Sequence, residues 1–278
     1  MRSILSYWQF DPVMVVFLII LCMIYFYLTG YKWIKRSVYF LTGMVLILLS
    51  VASPLHFLGE NYLMSAHMAA HVLLLLIASP LLVLGLPESG RHKLLDRFSV
   101  ILLKYLWLPW MIGVSVMWFW HIPWIFNKLM ETPDQMNMSD SFHIKGILQT
   151  IQWMSLIIAG IIFSWPVIGP VRSRRAAPLN AVLYLSAACI FCSLLGLLIT
   201  FSPFGVYTPY MNIQDRYGFL NMIRNQNGIS VIVDQQMAGL IMWVPGCLIY
   251  LSASMYLLMH WFRRKNEHTV LAKHQETR

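Results

Sequence analysis

The run VMVVFLIILCMIYFYL, Val13 to Leu28, carries no charged side chain, and runs like it recur along the whole chain. A helix needs roughly 20 apolar residues to cross about 30 Å of hydrocarbon. A chain that offers this length again and again cannot hide it in one soluble core. With 59% hydrophobic and 11% charged residues, it belongs to the integral membrane class. Uninterrupted apolar segments cover Val13 to Leu28, Val38 to Ala52, Leu63 to Leu86, Leu106 to Phe126, Ile144 to Ile168, Leu179 to Thr200 and Val233 to Phe262. The expected fold is all-α, a transmembrane bundle of seven helices in which residues 1–278 form a single integral membrane domain. The second span is short and must borrow from Ser53 to Leu58, where Pro54 makes its end irregular.

Charge supplies the orientation. Fifteen of the twenty Lys and Arg residues fall in YKWIKRS, ESGRHKLLDRFSVILLK, VRSRRAAP and the tail RRKNEHTVLAKHQETR. Basic loops stay in the cytoplasm, so the N-terminus is expected outside and the C-terminus, with its basic tail 263–278, inside. Clustered this way, the net charge of +9 does not call for a nucleic-acid partner. The opening MRSILSYWQFDP is followed by an apolar run without a small-residue cleavage site, so the first span is expected to remain. The outward connections are SPLHFLGENY, the mildly acidic NKLMETPDQMNMSDSF, and a long stretch from Phe201 to Ile232. Connections of that last length are commonly functional, and this one is expected to cover the outer surface as a lid. No internal repeat is visible.

Given this orientation, each polar residue has a depth. SAHMAAHVLLLLIASPLLVLGLP, Ser65 to Pro87, opens with His67 and His71, four apart and therefore on one helix face, one to two turns below the outer surface. WFWHIPW places His121 at the outer end of the fourth span, and SDSFHIKG places His143 at the start of the fifth. ISVIVDQQMAGLIMW brings Asp234 and Gln235 to the same level. Four histidines and a carboxylate from four helices thus share one leaflet. His56 lies in the connection before the third span, and His92, His260, His268 and His274 belong to the cytoplasmic side.

Polar groups inside a bilayer are costly and mark sites. Imidazole is the commonest protein ligand for transition metals, and a His pair at i, i+4 is a two-toothed grip. The candidate metal residues are His67, His71, His121, His143 and Asp234, and copper suits imidazoles with thioethers as near as Met64, Met68 and Met237. The bland readings compete: a histidine at a helix end can bond a carbonyl, His143 can cap its helix in water, and eighteen methionines in an apolar chain are mostly packing. Asp234 can join the shell, hold an imidazole tautomer, or cap the seventh span through the N–H of Gln236 or Met237. Cys22, Cys189, Cys192 and Cys247 all lie in apolar runs, where no disulfide framework is expected. The C-x-x-C of Cys189 and Cys192 reads as small hydrophobes, with a Cu(I) relay as the alternative.

Four separated motifs, SAHMAAHVLLLLIASPLLVLGLP, WFWHIP, the FH of Phe142 and His143, and DQQMAGLIMWVPG from Asp234 to Gly246, together resemble the CtaG family of Gram-positive cytochrome c oxidase assembly factors. The resemblance runs from about Leu5 to Phe262. It implies a multi-pass protein of the bacterial plasma membrane that helps copper reach a heme-copper oxidase, with His67, His71, His121, His143 and Asp234 carried over from the motifs. On this reading the chain captures and delivers and is not an enzyme; its partners are oxidase subunits, an extracytoplasmic copper donor protein and the lipid bilayer. Rival readings are a transporter of copper or another ion, and a membrane heme protein pairing His67 or His71 with His121. A retinal receptor would need a lysine in the seventh span, which has none.

Overall fold

The computed structural model describes the backbone of residues 4–88, 93–130, 138–203, 205–211, 213 and 215–276 and, within these, all side chains but those of 94, 138–145, 264 and 266–276. The described residues form helices and no strand. In a bilayer core no water is present to satisfy backbone groups, so each crossing closes its own hydrogen bonds as a helix. The first crossing is α1 (Pro12–Thr29), opened by Asp11, whose carboxylate accepts the Val13 N–H, and closed by Gly30 in the left-handed conformation. The second joins α2 (Ser37–Ala52) to α3 (Pro54–Asn61), and Ser53 restarts the helix by accepting the Leu55 N–H at 3.1 Å. The connection SPLHFLGENY is thus a helix and not an open loop, because Ser53 and Pro54 are respectively a good cap and a good first residue.

The third crossing runs through α4 (Met64–Val72), a six-residue π-helical segment (Leu73–Ala78) and α5 (Ser79–Gly85). Ser79 Oγ donates to the Leu74 carbonyl at 2.7 Å and lies 3.1 Å from the Ile157 carbonyl, which helps satisfy the widened turn. This crossing is the centre of the bundle: 67% of its most apolar window is buried, against 11% for α1, whose sides face outward.

The segment 93–104, with three basic residues, forms α6 (Lys93–Lys104), which bends by 86° into α7 (Trp107–His121). The expectation of a plain loop there is corrected: Leu95, Ser99 and Leu102 turn one face inward while the charges face out. At 1.5 Å per residue α7 alone falls short of the hydrocarbon thickness, so it completes a crossing only together with a neighbour. Among the described residues six helices are long and apolar enough to cross a membrane, and a seventh crossing is made if the bent pair α6 and α7 counts as one span. After α7 come α8 (Pro123–Met130), α9 (Met138–Ile168), α10 (Pro178–Thr200) and α11 (Val231–Glu276), so the basic tail continues the last helix.

Two glycines set distances that matter. A Cβ on Gly59 of α3 would stand 2.9 Å from the His67 nitrogen, so only glycine lets α3 lie this close to α4. A Cβ on Gly196 of α10 would come 2.8 Å from the Gly239 carbonyl of α11, which explains the intimate pairing of those two helices. At the end of the bundle away from the histidines, Glu88 accepts from Arg36 and Arg172, tying three connections together.

Candidate metal centre

Helical spacing puts His67 and His71 on one face of α4, and both rings are buried, with centroids 4.4 Å apart. His121, the last residue of α7, meets them from the facing helix. His71 Nδ1 lies 3.3 Å from His121 Nε2, and Met68 Sδ lies 2.9 Å from that same nitrogen. The other nitrogen of His121, Nδ1, is 2.6 Å from the Met117 carbonyl. A carbonyl can only accept, so Nδ1 carries the proton and Nε2 keeps its lone pair. His121 is therefore held in the tautomer that turns its Nε2 lone pair toward His71 and Met68.

Around this point the packing is dense. Trp153 of α9 stands 5.4 Å from the His67 ring and 5.1 Å from the His71 ring, and Phe126 of α8 lies edge-on to His67 at 5.6 Å. His71 Nε2 and His67 Nε2 are buried with no hydrogen-bond partner among the described residues. Buried nitrogens left this way are rare in settled cores and common where a ligand or ion is expected. Glu60, on α3, comes within 3.4 Å of His67 Nδ1.

Asp234 has a different position from the imidazoles. It is fully buried in the first part of α11, and its carboxylate accepts the backbone N–H groups of Met64 and Ser65 at 2.8 and 3.1 Å and the Ser65 hydroxyl at 2.6 Å. It caps α4 from another helix, satisfying donors that α4 cannot satisfy itself and placing negative charge at the positive end of the helix dipole. Its own helix is opened instead by Ser230, whose hydroxyl accepts the Val233 N–H. The neighbouring Gln235 donates to the carbonyls of Ile199 and Ser202 at the end of α10. The first turn of α11 thus clamps the start of the histidine helix and the end of α10 together.

Of the five residues expected from the sequence, His67, His71 and His121 gather, Asp234 secures the helix that carries two of them, and the His143 side chain lies outside the described residues. Among the described residues no group of three or more His, Cys, Asp or Glu side chains is placed to hold one metal ion. The convergent set is instead two imidazoles and a thioether. Sequence reasoning passed over Glu60, whose signal was a carboxylate one turn beyond His56 on the same helix. His56 is itself on α3, its ring 5.6 Å from Trp153, and not in an open loop.

The long connection folds over this region as expected of a lid. Tyr207 donates to the His121 carbonyl at 3.2 Å, Tyr210 to the Gly59 carbonyl, and both rings pack near Phe126. Burial pushes the Tyr207 phenol up to about 12, so it remains a donor at neutral pH. Farther along, Asp215 accepts from the Tyr62 hydroxyl and from the N–H groups of Phe219 and Leu220. Burial, and then the Asp215 carboxylate, raise the Tyr62 phenol to about 12. The cysteines pair differently from their spacing: Cys189 Sγ is 3.2 Å from Cys247 Sγ of α11, while Cys192 reaches the Met242 carbonyl at 3.3 Å.

A family model described as cytochrome c oxidase caa3 assembly factor (Caa3_CtaG) matches residues 15–264. Searches of curated proteins and of solved structures find no match. Because the family match takes in every crossing described above and both helices that carry the imidazoles, the chain belongs to the family of cytochrome c oxidase caa3 assembly factors.

Proposed function

We propose that this assembly factor binds copper through His71 Nδ1, His121 Nε2 and Met68 Sδ and passes it to a heme-copper oxidase subunit. The single observation that carries the reading is the tautomer of His121, fixed by the Met117 carbonyl so that a lone pair meets a second imidazole and a thioether. Two nitrogens each about 2.0 Å from a shared ion stand about 3.3 Å apart when the angle between them is close to tetrahedral. The observed separation is 3.3 Å. A mixed imidazole and thioether set is soft enough for Cu(I), and three ligands leave a position free for exchange with an acceptor. His67 and Glu60 stand beside the site as an approach, and Asp234 holds α4 in register.

Delivery asks for no catalytic group, and the proposed role is that of a carrier that receives copper from an extracytoplasmic donor. A heme between His71 and His121 is disfavoured, since the two nitrogens stand only 3.3 Å apart and Met68 Sδ already lies 2.9 Å from His121 Nε2. Cu(I) titration of the purified protein tests the proposal. Wild type should take up one ion per chain, and His71→Ala and His121→Ala should each lose it. Met68→Leu should weaken binding by roughly tenfold, about 1.4 kcal/mol. Equal uptake by wild type and all three variants would remove the site.

A further inference from the structure

A buried site needs a way in, and the structure contains one flank where polar groups approach it. A cavity of about 210 Å³ opens between the start of α1, α3 and α9, lined among others by Asp11, His56, Gly146, Gln149, Thr150 and Trp153. This lining is polar: His56, Gln149 and the Asp11 carboxylate, which accepts the Thr150 hydroxyl, converge on one space. The Gln149 side-chain nitrogen is buried without a hydrogen-bond partner among the described residues. A donor in that state points to water or a passing ligand beside it.

Trp153 lines this cavity and also borders the metal site: its ring lies 5.6 Å from the His56 ring and 5.4 and 5.1 Å from those of His67 and His71. Glu60 follows His56 by one turn of α3 and comes within 3.4 Å of His67 Nδ1. Groups able to hold a cation therefore succeed one another from Asp11 and His56, through Glu60 and His67, to His71, His121 and Met68.

We propose that this cavity is the port through which a copper cation reaches the buried imidazoles, with Trp153 as the partition that it passes. The proposal rests on the copper reading above and adds the route. Asp11 and His56 take the ion from its carrier in water, and Glu60 and His67 relay it inward without any change of its oxidation state.

Gly146 offers the test, since it lines the cavity at an exposed position and a Cβ added there meets nothing within 4 Å, so a larger side chain can be placed at the cavity mouth without displacing backbone. Copper would be supplied as a coloured Cu(I) chelate, and loading of the full-length protein followed by loss of its absorbance. Gly146→Trp should slow loading by about tenfold or more while reaching the wild-type end point, because access and not affinity is obstructed. Ile190→Trp, on an outward-facing position of α10, should load at the wild-type rate. Gly146→Cys guards against misfolding: it should load normally until a bulky water-soluble thiol reagent is attached, with identically treated wild type unaffected. An unchanged rate in both blocked forms, with full stoichiometry, would overturn the port and leave the copper site standing. A reduced end point in Gly146→Trp would make the cavity part of the binding site and overturn the port as drawn. Failure of wild type itself to take up copper would overturn the underlying reading, and the port with it.

Discussion

At the residue scale, the buried polar groups around the candidate site divide into those that face it and those that hold it. Asp234 belongs to the second kind. Removing it strands the N–H groups of Met64 and Ser65 in a dry interior, and a lost cap alone costs about 1 kcal/mol, with more when the donors are buried. Asp234→Ala should therefore lower stability by about 2 kcal/mol or more, read as a fall in Tm in detergent, and should weaken metal binding only as far as α4 frays. A loss of binding with unchanged Tm would contradict this division. His121 is the opposite case: His121→Ala should abolish binding while leaving most of the Tm in place. Sequence spacing already put His67 and His71 on one face. It could not say that Met68, between them, swings toward His121, because that depends on where α7 crosses α4.

At the element scale, close approach and lid closure are the devices to probe. Gly59→Ala would drive a methyl group into the His67 backbone, and overpacking of this kind typically costs about 1–3 kcal/mol. The expected outcome is a lower Tm together with weaker copper uptake, since α3 and α4 carry Glu60 and His67. The lid has its own pH dependence. Burial alone would raise the Asp215 carboxyl, but the bonds from Tyr62, Leu220 and Phe219 prevail and hold it below its usual value. A depressed carboxyl stabilises the fold above its unfolded pKa of about 3.9 and loses that contribution as pH falls through the lower folded value. Hydrogen exchange at the amides of residues 219–223 should stay slow from neutral pH down to about 4 and accelerate below it, and Asp215→Asn should show the fast behaviour throughout. These elements were partly legible. The lid was visible as a long polar connection, whereas the helical nature of 54–61 and 93–104 was obscured, in the first by its shortness and in the second by charges interrupting the apolar pattern.

At the scale of the whole molecule, the crossings and the family agree on a multi-pass membrane protein, and its clustered imidazoles lie at the end away from Arg36, Glu88 and Arg172. The distribution of Lys and Arg predicts that the histidine end faces outward. Cysteines introduced one at a time at Trp124 and at Lys35 should be labelled by an impermeant reagent in intact cells only at the first. Labelling of Lys35→Cys instead would invert the orientation and with it the direction of the proposed delivery.

Sequence alone determined the number of long apolar runs, the helical class, the expected sidedness and the grouping of imidazoles in one leaflet. These follow from length against bilayer thickness and from period against helix geometry, both of which are local. Only the tertiary structure decided that Met68 replaces Asp234 beside the imidazoles, that Asp234 and Gln235 clamp two other helices, and that Cys189 meets Cys247. Each of those depends on which helix faces which and at what distance, and that is set by glycine contacts, a bend and a widened turn whose effects extend across the bundle.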